Sequence, residues 1–240
     1  MSKGAAIITG ATGAIGKDIS LGLAAEGYDI VLHYSKNKEK AEQIREQITS
    51  KGVQCELLQE TFGHHTDYMG FISKAKESFG DCNVLINSAS LFERESFLET
   101  SEATFDQHMN INVKACFFLT KYFASAFGSG SVINMLDSYM LKNKSPYFIY
   151  LLTKKMLHEL TLMTAYELAP AIRVNAVSLG IMETEEGKGE YAALMQKKQE
   201  TLPMKQLPQA SSVVEAIRHL IDHQFYIGQC LFVDGGEHLT

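Results

Sequence analysis

Short apolar runs alternate with longer stretches of helical periodicity along almost the whole chain, and this alternation constrains the fold more than any other feature. The runs occupy residues 5–9, 30–33, 55–58, 84–87, 131–136, 173–178 and 230–233. The helical stretches occupy residues 14–26, 38–50, 67–78, 101–124, 147–168 and 211–221. A strand buried on both faces reads as a continuous apolar run, because neither face meets water. Such runs separated by helices predict an α/β fold, doubly wound, with a seven-stranded parallel sheet flanked by helices on both faces. At 240 residues, with no linker, low-complexity tract or repeat, the chain 1–240 reads as one domain. The least regular stretch, 180–208, contains Gly187, Gly189, Pro203 and Pro208. It follows a predicted strand, and ligands of such sheets bind beyond the strand ends. It reads as a mobile substrate lid, with an ordered pair of surface helices as the alternative.

Charge and composition narrow the partners. A net charge of −6 argues against a nucleic-acid or anionic-membrane surface. No apolar run reaches the ~18 residues that span a bilayer. Residues 1–4 lead directly into a strand and leave no room for a signal peptide. Cys55, Cys82, Cys116 and Cys230 lack paired or metal-ligand spacing, so they read as reduced thiols of a cytoplasmic protein. His64 and His65 have no second ligand cluster, and no metal is expected.

The first strand runs into Thr9-Gly10-Ala11-Thr12-Gly13-Ala14-Ile15-Gly16 and then a helix. Glycines there permit a tight turn and bring a diphosphate close to the helix N-terminus, as in a Rossmann-type dinucleotide site. A site for NAD usually carries Asp or Glu at the end of the second strand. This chain has His33-Tyr34-Ser35-Lys36-Asn37 instead. Lys36, with Ser35 and Asn37, suits a 2′-phosphate, so NADPH is expected over NADH; a solvated loop lysine is the plainer reading of Lys36.

Tyr150 and Lys154 stand four residues apart on a predicted helix and so project from one face. An ammonium beside a phenol favours the phenolate, which would draw the Tyr150 pKa down from about 10 toward neutrality. Such a pair suits proton exchange at a substrate atom next to one that gains or loses hydride.

In order and at matching separations, these segments resemble the short-chain dehydrogenase/reductase family over essentially the whole chain. Thr9-Gly10…Gly16 resembles its cofactor turn, with Ala14 replacing a usual glycine. Asn87-Ser88-Ala89-Ser90 resembles its Asn-Asn-Ala-Gly segment, and Asn112 its proton-relay asparagine, which would connect Lys154 to water. Tyr150…Lys154 matches its catalytic pair, while Arg173–Val177 and Val233–Gly236 stretches (173–177, 233–236) resemble its last strands. Leu179 replaces the proline usual before Gly180, and Gln59-Glu60-Thr61-Phe62 lacks the usual adenine-side Asp. The resemblance implies cofactor contacts from Gly10, Thr12, Gly13, Ile15, His33, Tyr34, Ser35, Lys36, Asn87, Ser88, Ala89, Lys154 and Gly180. It also implies a homotetramer, with the apolar residues around 115–118 and 156–157 compatible with the contact.

Asp137 stands where the family has a catalytic serine, and this resembles the pteridine reductase branch. Phe92 falls where those enzymes stack an aromatic ring on the pterin, and Ser90 lies beside it. A serine can donate to a ketone oxygen, whereas a carboxylate only accepts and repels developing negative charge. A pteridine ring offers N–H and amino donors, and reduction of its C=N bond needs a proton on nitrogen. The expected function is NADPH-dependent reduction of a pterin or dihydropteridine, with Tyr150 as donor, Lys154 and Asn112 in support, and Ser90, Phe92 and Asp137 at the substrate. A carbonyl or alcohol oxidoreductase, such as a 3-oxoacyl-thioester reductase, is the alternative. A nucleotide-binding regulator without turnover is the third reading.

Overall fold

A computed structural model describes residues 2–63, 65–143, 146–182 and 190–240, the last segment by backbone alone over 190–194. Gly187, Gly189 and His64 lie outside the described residues.

Seven strands, β1 (Ala5–Ile8), β2 (Asp29–Tyr34), β3 (Cys55–Gln59), β4 (Cys82–Asn87), β5 (Gly130–Asp137), β6 (Ile172–Leu179) and β7 (Cys230–Val233), form one sheet in the order 3-2-1-4-5-6-7. Every pairing is parallel. Eight helices connect or flank them: α1 (Ala14–Ala25), α2 (Lys38–Thr49), α3 (Tyr68–Phe79), α4 (Glu102–Met109), α5 (Ala115–Phe127), α6 (Phe148–Leu168), α7 (Glu190–Thr201) and α8 (Ala210–Asp222).

Alternate strand residues supply two cores, as the period of two requires. Ala6, Ile8, Ile30, Leu32, Val84 and Ile86 pack with Ile19 and Leu23 of α1, Ile44 and Ile48 of α2, and Ile217 of α8. Ile7, Val31, Leu85, Val132 and Val174 pack on the other side with Phe71 and Ile72 of α3 and Leu119 and Phe123 of α5. The register places Ile7 opposite both Val31 and Leu85, so one face stays in phase across strands distant in sequence.

The helix expected over 101–124 is interrupted. Ser101 caps α4 by accepting from Thr104 N, and residues Asn110–Lys114 then form a π-helical turn before α5 begins. Local periodicity does not announce the extra residue in that turn. Its reason lies in the site, where Asn112 is needed on a different face from the apolar stripe of α5. In the 180–208 stretch, α7 supplies ordered helix, and Met182, Met195 and Leu202 are buried.

Candidate active site

The chain reverses strand order between β1 and β4, and the carboxyl ends of β1, β4, β5 and β6 open on one edge. Gly10 follows β1 with φ +66°, a conformation that favours glycine. A Cβ on Gly10 would lie 2.7 Å from Ala89 Cα, and one on Gly16 would lie 2.4 Å from the Gly10 carbonyl oxygen. The turn therefore closes against both the β4 exit and its own helix. Thr9 completes that closure: its hydroxyl accepts from Ser88 N (2.9 Å) and Ala89 N (3.0 Å).

Gly13 caps α1 without a side-chain hydrogen bond, and the first turn holds no acidic residue. Thr12 and Ile15 flank it half-buried, with Ile15 packed on the core. Uncapped amides at the positive end of a helix fit an anionic diphosphate, so this turn suits a dinucleotide. Gly180, after β6, donates to Val233 O at 3.2 Å and leaves no room for a Cβ, which would meet Asp234 at 2.7 Å.

The basic loop differs from expectation. His33 is buried, stacks on Phe62 at 4.3 Å, and accepts from Gly10 N through Nδ1 at 2.9 Å. Burial pushes its pKa down to about 4, so the ring is neutral and supplies no charge to a phosphate. Phe62 stacked on its face and Phe71 edge-on at 5.4 Å are what bury it. Tyr34 is also buried, with its hydroxyl toward Gln59, and Ser35 Oγ bonds Thr61 Oγ1 at 3.0 Å. Asn37 caps α2 by accepting from Lys40 N, leaving exposed Lys36 as the cation of this segment that faces solvent beside the cap.

At the end of β5, Asp137 meets Tyr150 from the first turns of α6: the phenol donates to Oδ2 at 2.9 Å. Oδ1 accepts from Tyr139 N at 2.8 Å, which fixes the carboxylate plane. Burial holds the Asp137 pKa above the ordinary carboxylate value, against the hydrogen bonds from Tyr139 and Tyr150 and the charge of Lys154. Tyr150 is pushed well above 10, first by burial and then by the Asp137 charge. The expected depression by Lys154 is thus reversed. Lys154 sits 5.5 Å from the Tyr150 ring centroid and donates to Met135 O at 2.8 Å; burial draws its own pKa down.

Asn112 makes four side-chain hydrogen bonds beside the Tyr150 helix. Its carbonyl oxygen accepts from Leu91 N (2.7 Å) and Ser90 Oγ (3.3 Å), and its amide donates to Leu91 O and Thr153 Oγ1, both at 3.0 Å. Thr153 in turn donates to the Tyr150 carbonyl at 2.6 Å. The side chain is a clamp between the Ser90–Leu91 pair and the α6 turn that carries Tyr150. Asn87 likewise turns inward: its amide donates to Asn134 Oδ1 at 2.8 Å, joining β4 to β5.

Phe92 is 58% exposed, with its face stacked on Tyr147 (4.5 Å, 10°) and its ring edge-on to Tyr150 (4.7 Å, 76°). Tyr147 stands at the N-cap of α6, three residues before Tyr150, and that spacing brings the two rings to the same side of Phe92.

A family model described as enoyl-(acyl carrier protein) reductase matches residues 10–238. The chain belongs to the short-chain dehydrogenase/reductase family. Among relatives of this reductase, the 3-oxoacyl-[acyl-carrier-protein] reductase FabG of Staphylococcus epidermidis is 28% identical, covering 98% of each chain. The uncharacterized oxidoreductase YmfI of Bacillus subtilis is 29% identical, covering 97% of this chain and 98% of that one. The structure of FolM alternative dihydrofolate reductase 1 from Brucella canis, complexed with NADP, superposes with a TM-score of 0.93 at 26% identity, covering 100% of this chain and 95% of that one. The Brucella suis FolM structure, also with NADP, gives 0.91 at 26% identity, covering 100% and 97%. The family assignment makes this chain an NAD(P)-dependent oxidoreductase with the Rossmann-type sheet already described. Among the described residues no helix is long and apolar enough to cross a membrane.

Proposed function

We propose that this reductase uses NADPH to reduce a C=N bond of a pterin or dihydropteridine. The observation that carries the reading is the Tyr150–Asp137 hydrogen bond of 2.9 Å, a carboxylate standing at the proton donor where a ketone reductase needs a hydroxyl. The FolM likeness supports it, since both solved structures are named as dihydrofolate reductases and hold NADP.

The cofactor, when bound, supplies hydride to the ring carbon of the C=N bond. Tyr150 then gives its proton to the adjacent nitrogen, so the bond gains H⁻ and H⁺ in balance. The raised pKa of Tyr150 keeps that proton on the phenol at neutral pH, ready for transfer. Lys154, 5.5 Å from the Tyr150 ring centroid, would stabilise the phenolate left behind and would hold ribose hydroxyls of the cofactor. Asp137 accepts ring N–H or amino donors and turns the substrate nitrogen toward Tyr150. Phe92 and Tyr147 offer a flat apolar surface for the heterocycle. Gly10, Thr12, Gly13 and Ile15 would hold the diphosphate, Ser88, Ala89 and Gly180 would line the same edge, and Lys36 would meet the 2′-phosphate. Asn112 and Ser90 keep that edge rigid. A homotetramer would use Phe117, Met156, Met163 and Tyr166, all exposed on α5 and α6.

The full-length FabG match favours a second reading, reduction of a 3-oxoacyl thioester. NADPH consumption measured against 7,8-dihydropterins, oxidised pterins and acetoacetyl thioesters separates the two. Asp137→Ser should lower pteridine kcat/KM by about 10²-fold and leave thioester turnover equal or higher. Wild-type turnover of thioesters alone, unhindered by Asp137, rejects the pteridine reading. Tight NADPH binding with no turnover across the panel supports a regulator instead.

A further inference from the structure

The last turn of the chain gathers contacts from three distant segments. Glu237 is only 3% exposed although it is charged, and it opens the short 3₁₀ turn Glu237–Leu239. Its Oε2 accepts from Ile181 N (3.1 Å), just beyond β6, and from Ser138 Oγ (3.4 Å), the residue after Asp137. Its Oε1 accepts from Lys198 Nζ of α7 at 2.9 Å. Lys198 also donates to the Tyr139 hydroxyl, and Tyr139 N holds Asp137 Oδ1. Partial burial opposes the charge on Lys198, but the bonds to Tyr139 and Glu237 outweigh it and keep its pKa raised.

Backbone contacts reinforce the arrangement. Met204 N donates to Gly235 O at 3.1 Å, and Gly236 lies so close to Pro203 that a Cβ there would come within 2.9 Å of its ring. Gly180 N donates to Val233 O. The segments on both sides of α7 are thus tied to residues 233–237, and α7 itself is tied there by an ion pair. A buried carboxylate is tolerated only when its acceptor sites are filled, and here three donors fill them. An apolar residue would pack at that position with less penalty, so the charge points to a task beyond stability.

We propose that Glu237 is a positioning residue for the reduction: through Lys198 and Tyr139 it couples the seating of α7 to the orientation of Asp137 opposite Tyr150. The chain of contacts runs from Glu237 to Lys198, to the Tyr139 hydroxyl, through the Tyr139 backbone to Asp137, and so to the proton donor. It rests on the reading of Tyr150 and Asp137 as the reacting pair, and not on which substrate they reduce. Asp137 is thereby linked to the seating of α7 through Tyr139 and Lys198.

The test compares Lys198→Met, Glu237→Gln, the double variant and Lys198→Arg in the full chain. Kinetics use whichever of a 7,8-dihydropterin or an acetoacetyl thioester the wild type reduces. Each single variant should lower kcat/KM about tenfold with NADP affinity unchanged. The double should fall no further, because both changes break one connection, and Lys198→Arg should restore most of the loss. Amide exchange at Ile181 and Met204 should quicken in both singles. Should Glu237→Gln fail to fold, Lys198→Met decides the matter alone, since that ammonium is partly exposed. Kinetics within twofold of wild type, losses that multiply in the double, or a parallel loss of NADP affinity would overturn the coupling. If the wild type reduces neither substrate, the functional reading fails separately, and unchanged amide exchange in Lys198→Met then overturns this one.

Discussion

The His33 ring accepts the Gly10 amide through Nδ1 at 2.9 Å and donates to Glu60 O through Nε2 at 2.9 Å, so one imidazole joins the cofactor turn to the end of β3. With Gly10 as a donor to Nδ1, the proton of the neutral ring belongs on Nε2, facing the Glu60 carbonyl. Protonating Nδ1 would break the first bond and place a charge in the core.

That relationship sets a pH window. His33 has a native pKa of about 4 against an ordinary 6.5. The unfolded chain therefore binds the extra proton first, and its contribution to stability is complete above the ordinary value and lost as pH falls toward the native one. The difference corresponds to about 3 kcal/mol at most. Urea midpoints of wild type should drop across this window. In His33→Asn, which keeps an acceptor for Gly10 but cannot titrate, that part of the slope should vanish; an unchanged slope would show that other groups carry it.

Asp137 behaves in the opposite sense. Its native pKa is raised, chiefly by burial, so a protonated carboxyl favours the fold and an ionised one opposes it. Below the unfolded pKa both states are protonated and nothing is lost; stability falls as pH rises through the native value. Asp137→Asn should therefore gain Tm relative to wild type on going from about pH 4 to about pH 8, while pteridine kcat/KM falls. Calorimetry across that range checks the sign. A constant Tm difference would mean that the carboxyl is not penalised by burial.

Tyr147 holds Phe92 by a face-to-face stack, and such pairs contribute about 1 kcal/mol beyond their burial. Tyr147→Ala should raise pteridine KM about fivefold with kcat nearly unchanged, whereas Tyr147→Phe should match wild type. A fall in kcat instead would assign Tyr147 to proton transfer and not to stacking.

Lys36 is the exposed cation between β2 and the α2 cap, since His33 is neutral and inside. A charge-assisted contact to a 2′-phosphate contributes about 1.5–3 kcal/mol. Lys36→Glu should raise KM for NADPH by at least about tenfold while that for NADH changes little. Equal changes for both cofactors would place the 2′-phosphate elsewhere.

The sheet was legible because burial on both faces writes itself into the strands: Ile7, Val31, Leu85 and Val132 read as apolar runs before any contact is known. Tyr150 and Lys154 were legible through their spacing and Asp137 through resemblance, and the structure brings Tyr150 and Asp137 within hydrogen-bond distance. The state of their protons was not, because the phenol responds to burial and to a carboxylate delivered by β5, neither of which spacing reports. The burial of His33 was not legible either, because Phe62 and Phe71 meet the ring only once the segments after β3 have folded over it. Glu237 and Lys198 carried no local pattern, since they lie on separate elements and meet only after the last turn folds back. Asn112 was recognised by resemblance, but its clamp on Leu91 depends on a helical irregularity invisible to periodicity.

That irregularity has a consequence for how the chain can change. Ala115 N reaches back five residues to Asn110 O, so the rod from α4 to α5 carries one residue more than a regular helix. One residue corresponds to about 100° of rotation. Within it, Asn112 addresses Leu91; downstream, Leu119 and Phe123 address the sheet. Deleting any single residue of 110–114 would let the rod relax to uniform winding and turn one of those two targets out of phase with the other. Insertions and deletions should therefore be tolerated far less in this smooth-looking helix than in the loops around it.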